Sequence, residues 1–291
     1  MPIRPYLELI RPPNLVTAAA DPLTGFLLAG GSLHGYDTII PLVVVSVCLY
    51  GAGVALNDVC DAQRDRASRR ERPIPSGRVE RRHAVRFAVL LFAVGLTTAW
   101  ITAPIVGCLA TGLMVAIVSY DSILKRTILG PGVMGLCRAL NLALGLCAID
   151  PLPSTLVLVL PAALLWLYVT SVTVFARTES EASKRPVLVA ALFGLTTAII
   201  GQGFLHPLFG SRHIEHLLFL TLLAAEGVRR GYRAVKDPRP AVVQEAVGAF
   251  VIGLLFFDAS MVWIASGPQA AALPAALIVP TVLLARLFRV S

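Results

Sequence analysis

Four oxygen-bearing side chains lie close together in the sequence where a long apolar segment ends. The segment GAGVALNDVCDAQRDR, residues 51–66, begins apolar and then presents Asn57, Asp58, Asp61 and Asp65. On a helix that advances about 100° per residue, the three aspartates fall within about 60° of one another, with the asparagine at the edge of that sector. Such carboxylates repel one another unless a cation neutralises them. Mg²⁺ is usually held by one or two carboxylates together with substrate phosphates, so the spacing predicts a Mg²⁺ site. The alternative is a helix that simply ends in a solvated, charged loop.

Arginines follow these acids at once and outnumber them, because residues 61–82 contain eight basic side chains. Part of this charge is expected to hold the segment on the cytoplasmic side or to contact anionic lipid head groups. The rest suits a polyanion, since a guanidinium group forks onto two phosphate oxygens. Arg72, directly before the rigid sequence PIPSG, is the arginine that we expect on phosphate.

The elements that must position these groups are membrane-spanning helices. Of the 291 residues, 56% are hydrophobic and only 14% are charged, and the mean hydropathy is +0.77. A spanning helix needs about 20 mainly apolar residues. Two pairs of adjacent candidate helices are joined by very short connections, around residues 103 and 267. The alternative number of transmembrane helices is therefore nine. The sequence therefore predicts an all-α polytopic membrane protein, a single domain over residues 1–291 with nine or ten transmembrane helices. The ten candidates cover residues 13–32, 39–60, 84–102, 104–120, 132–149, 154–175, 187–205, 213–229, 243–265 and 270–288.

The basic residues predict how the chain is oriented in the membrane. Of the 25 Lys and Arg residues, 22 fall in segments that this layout places on the side of the N-terminus. Cytoplasmic segments of membrane proteins are enriched in these residues. We therefore expect a multi-pass protein of a bacterial inner membrane, with both termini and the aspartate-rich segment in the cytoplasm. This distribution also accounts for the net charge of +8 without nucleic acid as a partner.

Several segments of the sequence resemble one family of membrane enzymes. NDVCDAQRD followed by RPIPSGRV resembles the first aspartate-rich motif, NDxxDxxxD, and the segment after it in the UbiA superfamily of intramembrane prenyltransferases. RPPNLVTA is similar to the entry of that family's first helix, YDSILKR to its Tyr/Lys segment and LCRALNLALG to its fifth helix. The last two segments, together with LLFFDAS, look most like the EboC-type branch.

The resemblance implies a helical bundle whose cavity opens to the cytoplasmic side and to the membrane. Two Mg²⁺ ions would bridge aspartates to an isoprenoid diphosphate, which ionises and transfers its prenyl group to a small-molecule acceptor, aromatic or lipid. Tyr120 would lie near the reacting carbon, with Arg72 and Lys125 on phosphate oxygens, although Lys125 and Arg126 fit equally well as cytoplasmic anchors. The ligands of the metal–diphosphate complex would be Asn57, Asp58, Asp61 and Asp65.

Reaction chemistry supports the same interpretation. Breaking an allylic C–O bond places negative charge on the leaving diphosphate, where metal ions and Lys or Arg side chains stabilise it. The carbocation that remains needs a pocket poor in water, and aromatic faces can stabilise it. A cavity open to lipid would also accommodate the polyprenyl tail within the membrane.

The sequence departs from the family at its second acidic motif, DxxxD. Residues 173–186 read TVFARTESEASKRP and contain no aspartate. Glu179 and Glu181 would point to nearly opposite sides of a helix, so both bind metal only if the segment is not helical. The alternatives are a solvated loop or pairing with Arg177 or Lys184.

The sequence is consistent with two functions. One is a prenyltransferase with an altered metal site, which the intact first motif favours. The other is a carrier or accessory in the export of a secondary-metabolite precursor, which the resemblance to the EboC-type branch favours.

Three polar residues inside the predicted apolar helices are further candidates, because ionisable groups within a membrane are commonly functional. Asp21 precedes Pro22 in the first helix and is expected at the acceptor pocket. Arg138 and Asn141 are three residues apart and so share a helix face. They are candidates for binding the diphosphate or the acceptor. Alternatively, Arg138 forms an ion pair with Asp21.

Overall fold

The chain folds into a bundle of α-helices. The computed structural model describes residues 3–177, 184–210 and 215–288. Glu179 and Glu181 therefore lie outside the described residues. Within these ranges there are two short 3-10 helices, Leu124–Arg126 and Gln202–Phe204, and no strand. The α-helices are α1 (Arg4–Ile10), α2 (Pro12–Leu28), α3 (Tyr36–Ser68), α4 (Arg81–Thr102), α5 (Pro104–Ser122), α6 (Gly130–Leu146), α7 (Thr155–Ala176), α8 (Arg185–Gly201), α9 (Leu205–Phe209), α10 (Glu215–Lys236), α11 (Pro240–Ala276) and α12 (Ile278–Leu287).

The predicted all-α membrane fold is confirmed. Each of the ten predicted spans coincides with a helical segment, and six segments of the described chain are long and apolar enough to cross a membrane. The short connections around residues 103 and 267 both interrupt the helical backbone. Ala103 is extended between α4 and α5. Gly267 has φ 82° and ψ 177° inside α11, a left-handed backbone that favours glycine, and Pro268 follows it.

Helix α3 is longer than the prediction of 39–60, since it continues to Ser68 and so carries all the aspartates of the first motif. Hydropathy does not detect this extension, because its last turns are polar. Basic side chains from other elements cover these turns: Arg11, Arg72 and Lys125 each contact a carboxylate of α3. The polar end of α3 is therefore packed against protein and is not a free loop.

The central helix α2 packs against α3, α6, α11 and α12. Its contact with α6 is especially close, because a Cβ atom added to Gly145 would lie 1.9 Å from the carbonyl oxygen of Pro22, and one added to Gly25 would lie 2.1 Å from that of Leu142. Small residues allow membrane helices to approach in this way. This contact fixes α2 beside the α6 face that carries Arg138 and Asn141.

The basic ends of the helices meet at one end of the bundle. Arg177, directly after α7, donates to the backbone carbonyls of Lys125 and Thr127 beside the end of α5. Arg185, at the start of α8, donates to the carbonyl of Lys236 at the end of α10, with an N–O distance of 3.4 Å. These contacts agree with the helix order from which the topology was predicted. That this end faces the cytoplasm remains a prediction.

Candidate active site

Two carboxylates of α3 share a basic partner at the polar end of the bundle. Arg72 Nη1 donates to Asp65 Oδ2 at 2.7 Å and to Asp58 Oδ1 at 3.2 Å. Arg11 Nη2 reaches the same Asp58 oxygen at 2.8 Å. Arg11 has φ 51° where α1 ends and α2 begins, and two prolines follow it. This turn places its guanidinium on α3.

The third carboxylate turns toward a different part of the molecule. Lys125 Nζ donates to Asp61 Oδ2 and to Asn57 Oδ1, both at 2.8 Å, and Arg126 Nη2 donates to Asp61 Oδ1 at 3.1 Å. The helical repeat explains the division. Positions seven residues apart, such as 58 and 65, are nearly aligned, whereas position 61 is rotated from 58 by about 60°. Asp61 therefore faces the end of α5, where the Leu124–Arg126 turn presents Lys125 and Arg126.

The oxygen donors of α3 suit Mg²⁺ in their chemistry but do not form a complete protein site. In the part of the chain that the structure describes, no three side chains of His, Cys, Asp or Glu converge where an ion could bind. Each aspartate of the motif instead contacts a guanidinium or an ammonium group. Mg²⁺ needs only one or two carboxylates when substrate phosphates supply further oxygens. The residues present thus fit a metal that binds together with a diphosphate.

A cavity of about 500 Å³ leads from these groups into the helical bundle. At its polar end it is lined by Arg11, Asn57, Tyr120 and Asp121. Its walls are mainly apolar, with contributions from α3, α5, α6, α7 and α11, and they include Leu113, Ile117, Val169, Val172, Phe250 and Leu254. The cavity therefore has a charged end and a hydrophobic interior, as a ligand with an anionic head and an apolar chain requires.

The polar residues predicted inside the helices form one buried group. Arg138 Nη2 donates to Asp21 Oδ1 at 2.7 Å, and Asn141 Nδ2 donates to Asp21 Oδ2 at 2.8 Å. The alternative of an ion pair between Arg138 and Asp21 is thus confirmed. Arg138 and Asn141 also line the cavity, so pairing does not remove them from contact with a ligand. Asp258 of α11 is fully buried, and neither of its carboxylate oxygens has a hydrogen-bond partner among the described residues.

The structure brings most of the predicted site residues together. Tyr120, Asn57, Arg138 and Asn141 line one cavity, while Asp58, Asp61, Asp65, Arg72 and Lys125 form the ion-pair network at its polar end. Sequence reasoning missed Arg11 and Asp121. Both lie within segments that carried the family resemblance, RPPNLVTA and YDSILKR, so the signal was present but was not applied to these positions.

Several solved structures, two of them UbiA homologues from different organisms, share the fold of this chain. A UbiA homologue from Aeropyrum pernix aligns with a TM-score of 0.70 at 17% identity, over 87% of this chain and 98% of that one. A UbiA homologue from Archaeoglobus fulgidus, bound to GPP and Mg²⁺, aligns with a TM-score of 0.66 at 13% identity, over 88% of this chain and 99% of that one. At these identities the likeness shows the fold.

Curated relatives match over a shorter segment. Digeranylgeranylglyceryl phosphate synthase of Methanopyrus kandleri is 41% identical over 118 residues, which is 40% of this chain and 42% of the relative. The enzyme of the same name from Sulfolobus acidocaldarius is 42% identical over 96 residues, 33% of this chain and 34% of the relative. The chain thus matches less than half the length of these relatives. Residues 22–227, most of the chain, match the UbiA prenyltransferase family, and the protein therefore belongs to that family.

Proposed function

We propose that this protein is a Mg²⁺-dependent intramembrane prenyltransferase that moves a prenyl group from an isoprenoid diphosphate to an acceptor. One observation carries the proposal: oxygen ligands and basic side chains meet at the polar end of a cavity that continues between apolar helix faces. This combination suits a diphosphate head and a prenyl tail at once. Family membership and the names of the relatives support it.

In this proposal, the residues of α3 hold the metal–diphosphate complex. Bound Mg²⁺ would neutralise charge on the leaving diphosphate. The ligands on α3 would be Asn57, Asp58, Asp61 and Asp65. Arg72 and Lys125 would contact phosphate oxygens, because both already lie against these carboxylates and an entering anion competes for them. Glu179 and Glu181 stay predicted metal ligands that the described residues do not include.

The cavity walls would protect the prenyl cation from water. Tyr120, at the polar end, would present its ring to the reacting carbon. Apolar side chains such as Val172 and Phe250 would contain the tail and exclude water. Arg138 and Asn141 would bind the acceptor, with Asp21 holding both in position. The names of the relatives favour a lipid acceptor over an aromatic one.

The protein is an integral membrane protein, and we propose that its polar end faces the cytoplasm of a bacterium, with both chain termini on that side. The basic residues collected at this end support the orientation through the enrichment of Lys and Arg in cytoplasmic segments. Diphosphate substrate would then enter from the cytoplasm while its tail stays in the bilayer.

The test is Mg²⁺-dependent binding of geranylgeranyl diphosphate to the purified protein in detergent. We expect the wild type to bind only with Mg²⁺, and the Asp58→Ala/Asp61→Ala variant to lose binding. Asp37→Ala is the matched control, because Asp37 is an exposed acid in the first turn of the same helix. Failure of the folded wild type to bind would refute the proposal and favour the carrier or accessory function. Binding would justify assays of prenyl transfer to glyceryl phosphate lipids and aromatic acids.

A further inference from the structure

Asp121 is an acid inside the cavity that the proposed mechanism does not yet use. It is 4% exposed, and no other carboxylate-bearing residue lines the cavity within the described ranges. Asp58, Asp61 and Asp65 each contact a basic side chain. Asp121 has neither a hydrogen-bond partner nor an ion-pair partner for its side chain among the described residues. It is thus an unpartnered carboxylate that borders the empty space of the cavity.

The surroundings of Asp121 indicate a position for a cation. Its side chain lines the same cavity as Arg11 and Tyr120, which places it among the groups of the diphosphate site. Asp121 lies in the last turn of α5, and Asn57 of α3 lines the same cavity. The ammonium group of Lys125 already lies 2.8 Å from both Asn57 Oδ1 and Asp61 Oδ2. A positive charge is therefore stabilised between α3 and the end of α5.

A buried carboxylate without a partner is unfavourable, because its charge has lost water and gained no compensating contact. A divalent cation would supply that compensation. With Asn57 and Asp61, Asp121 would complete a set of two carboxylates and one amide oxygen from two helices, and Mg²⁺ binds such sets when substrate phosphates provide further ligands. Residues 173–186 contain no aspartate and only two glutamates, Glu179 and Glu181, so α5 would contribute a further carboxylate to the site.

We propose that Asp121 is a metal ligand, and that it binds a divalent cation together with Asn57, Asp61 and the diphosphate. This inference rests on the proposed function, since it concerns the same substrate site. It assigns α5 a direct part in metal binding. The cation would then be held between two helices, and its binding would draw the end of α5 and the polar end of α3 together.

The experiment measures Mn²⁺ binding to the full-length protein by electron paramagnetic resonance, with and without geranylgeranyl diphosphate. We expect Asp121→Asn to weaken Mn²⁺ binding in the presence of the diphosphate by at least about tenfold, because loss of groups that merely support a ligand already costs that much. Asp121→Glu keeps a carboxylate and should retain most of the affinity. Asp37→Asn, which removes an exposed acid from α3, should bind as the wild type does.

A second measurement on the wild type does not depend on how a variant folds. Fe²⁺ bound in place of Mg²⁺ reduces added hydrogen peroxide to hydroxide and hydroxyl radicals, which cut the backbone close to the metal, and added ascorbate regenerates Fe²⁺. We expect cuts near residues 57–61 and also near residue 121, and both should require the diphosphate. Cuts near 57–61 alone, or wild-type Mn²⁺ affinity in a folded Asp121→Asn variant, would overturn the assignment while leaving the proposed function intact. A wild type that binds no diphosphate at any metal concentration would refute both.

Discussion

The ion pair between Arg138 and Asp21 should stabilise the packing of α2 against α6, and Arg138→Met tests this directly. Methionine keeps much of the apolar stem of arginine and removes its charge. Asp21 has no exposed surface and Arg138 only 6%. In the variant, Asp21 keeps one of its two side-chain donors, Asn141, while the carbonyl oxygen of Thr17 loses the bond from Arg138 Nη2.

The expected cost follows from the contacts that are lost. Arg138 Nη2 makes two hydrogen bonds, at 2.7 Å to Asp21 Oδ1 and 2.9 Å to Thr17 O. Bonds that involve a charged group contribute about 1.5–3 kcal/mol each, so their sum is about 3–6 kcal/mol. Breaking a buried ion pair by removing one partner costs about 3–5 kcal/mol. We therefore expect the free energy of unfolding to fall by about 3–5 kcal/mol.

The assay is equilibrium unfolding in mixed micelles, with the native state followed by near-ultraviolet circular dichroism. The control is Asp21→Asn/Arg138→Met, which removes both charges. The coupling energy between the two substitutions should be about 2–3 kcal/mol. The double variant should therefore lose less stability than the sum of the losses in the two single variants. A single change that costs less than about 1 kcal/mol, or strict additivity, would refute the reasoning.

Three further predictions concern packing, the ion-pair network and the metal. Gly145→Ala should lower the free energy of unfolding by about 1–3 kcal/mol or more, because its Cβ would overlap the Pro22 carbonyl. The control Gly112→Ala should be tolerated, because no atom lies within 4 Å of the added Cβ. Thermal unfolding compares the two variants, and equal effects would contradict the close approach of α2 and α6. Arg72→Gln should lower the free energy of unfolding by about 3–5 kcal/mol, because it leaves Asp65 buried without its partner. Arg126→Gln should lower it by less than about 1 kcal/mol, because Arg126 is more exposed. Chemical unfolding measures both, and an equal or larger loss in the Arg126 variant would contradict this order. Removal of divalent cations with EDTA should weaken binding of geranylgeranyl diphosphate at least about tenfold, measured by titration, with unchanged binding as the contrary result.

Local sequence patterns predicted most of the fold, because crossing a membrane imposes a constraint that hydropathy detects directly. Each spanning segment must satisfy its own backbone hydrogen bonds, so an apolar run of sufficient length becomes a helix. Even the short connections at Ala103 and Gly267 were visible, since a proline follows each. The exception is the end of α3. Its last turns are polar, so hydropathy does not detect that the helix continues to Ser68, and two of its carboxylates pair with the distant residues Arg11 and Lys125, which no local pattern contains.

For the candidate site, the sequence alone determined the chemical types of the side chains and their angular positions around the α3 axis. The tertiary structure decided which residues they contact. The spacing of Asp58, Asp61 and Asp65 on one helix follows from the 3.6-residue repeat. Which cation each carboxylate contacts depends on the positions of α1, the PIPSG segment and the end of α5, and contacts between residues 47 to 65 positions apart cannot be read from local periodicity. Asp121 belongs to the YDSILKR segment that carried the family resemblance, but only the packing of α5 beside α3 places its carboxylate in the cavity.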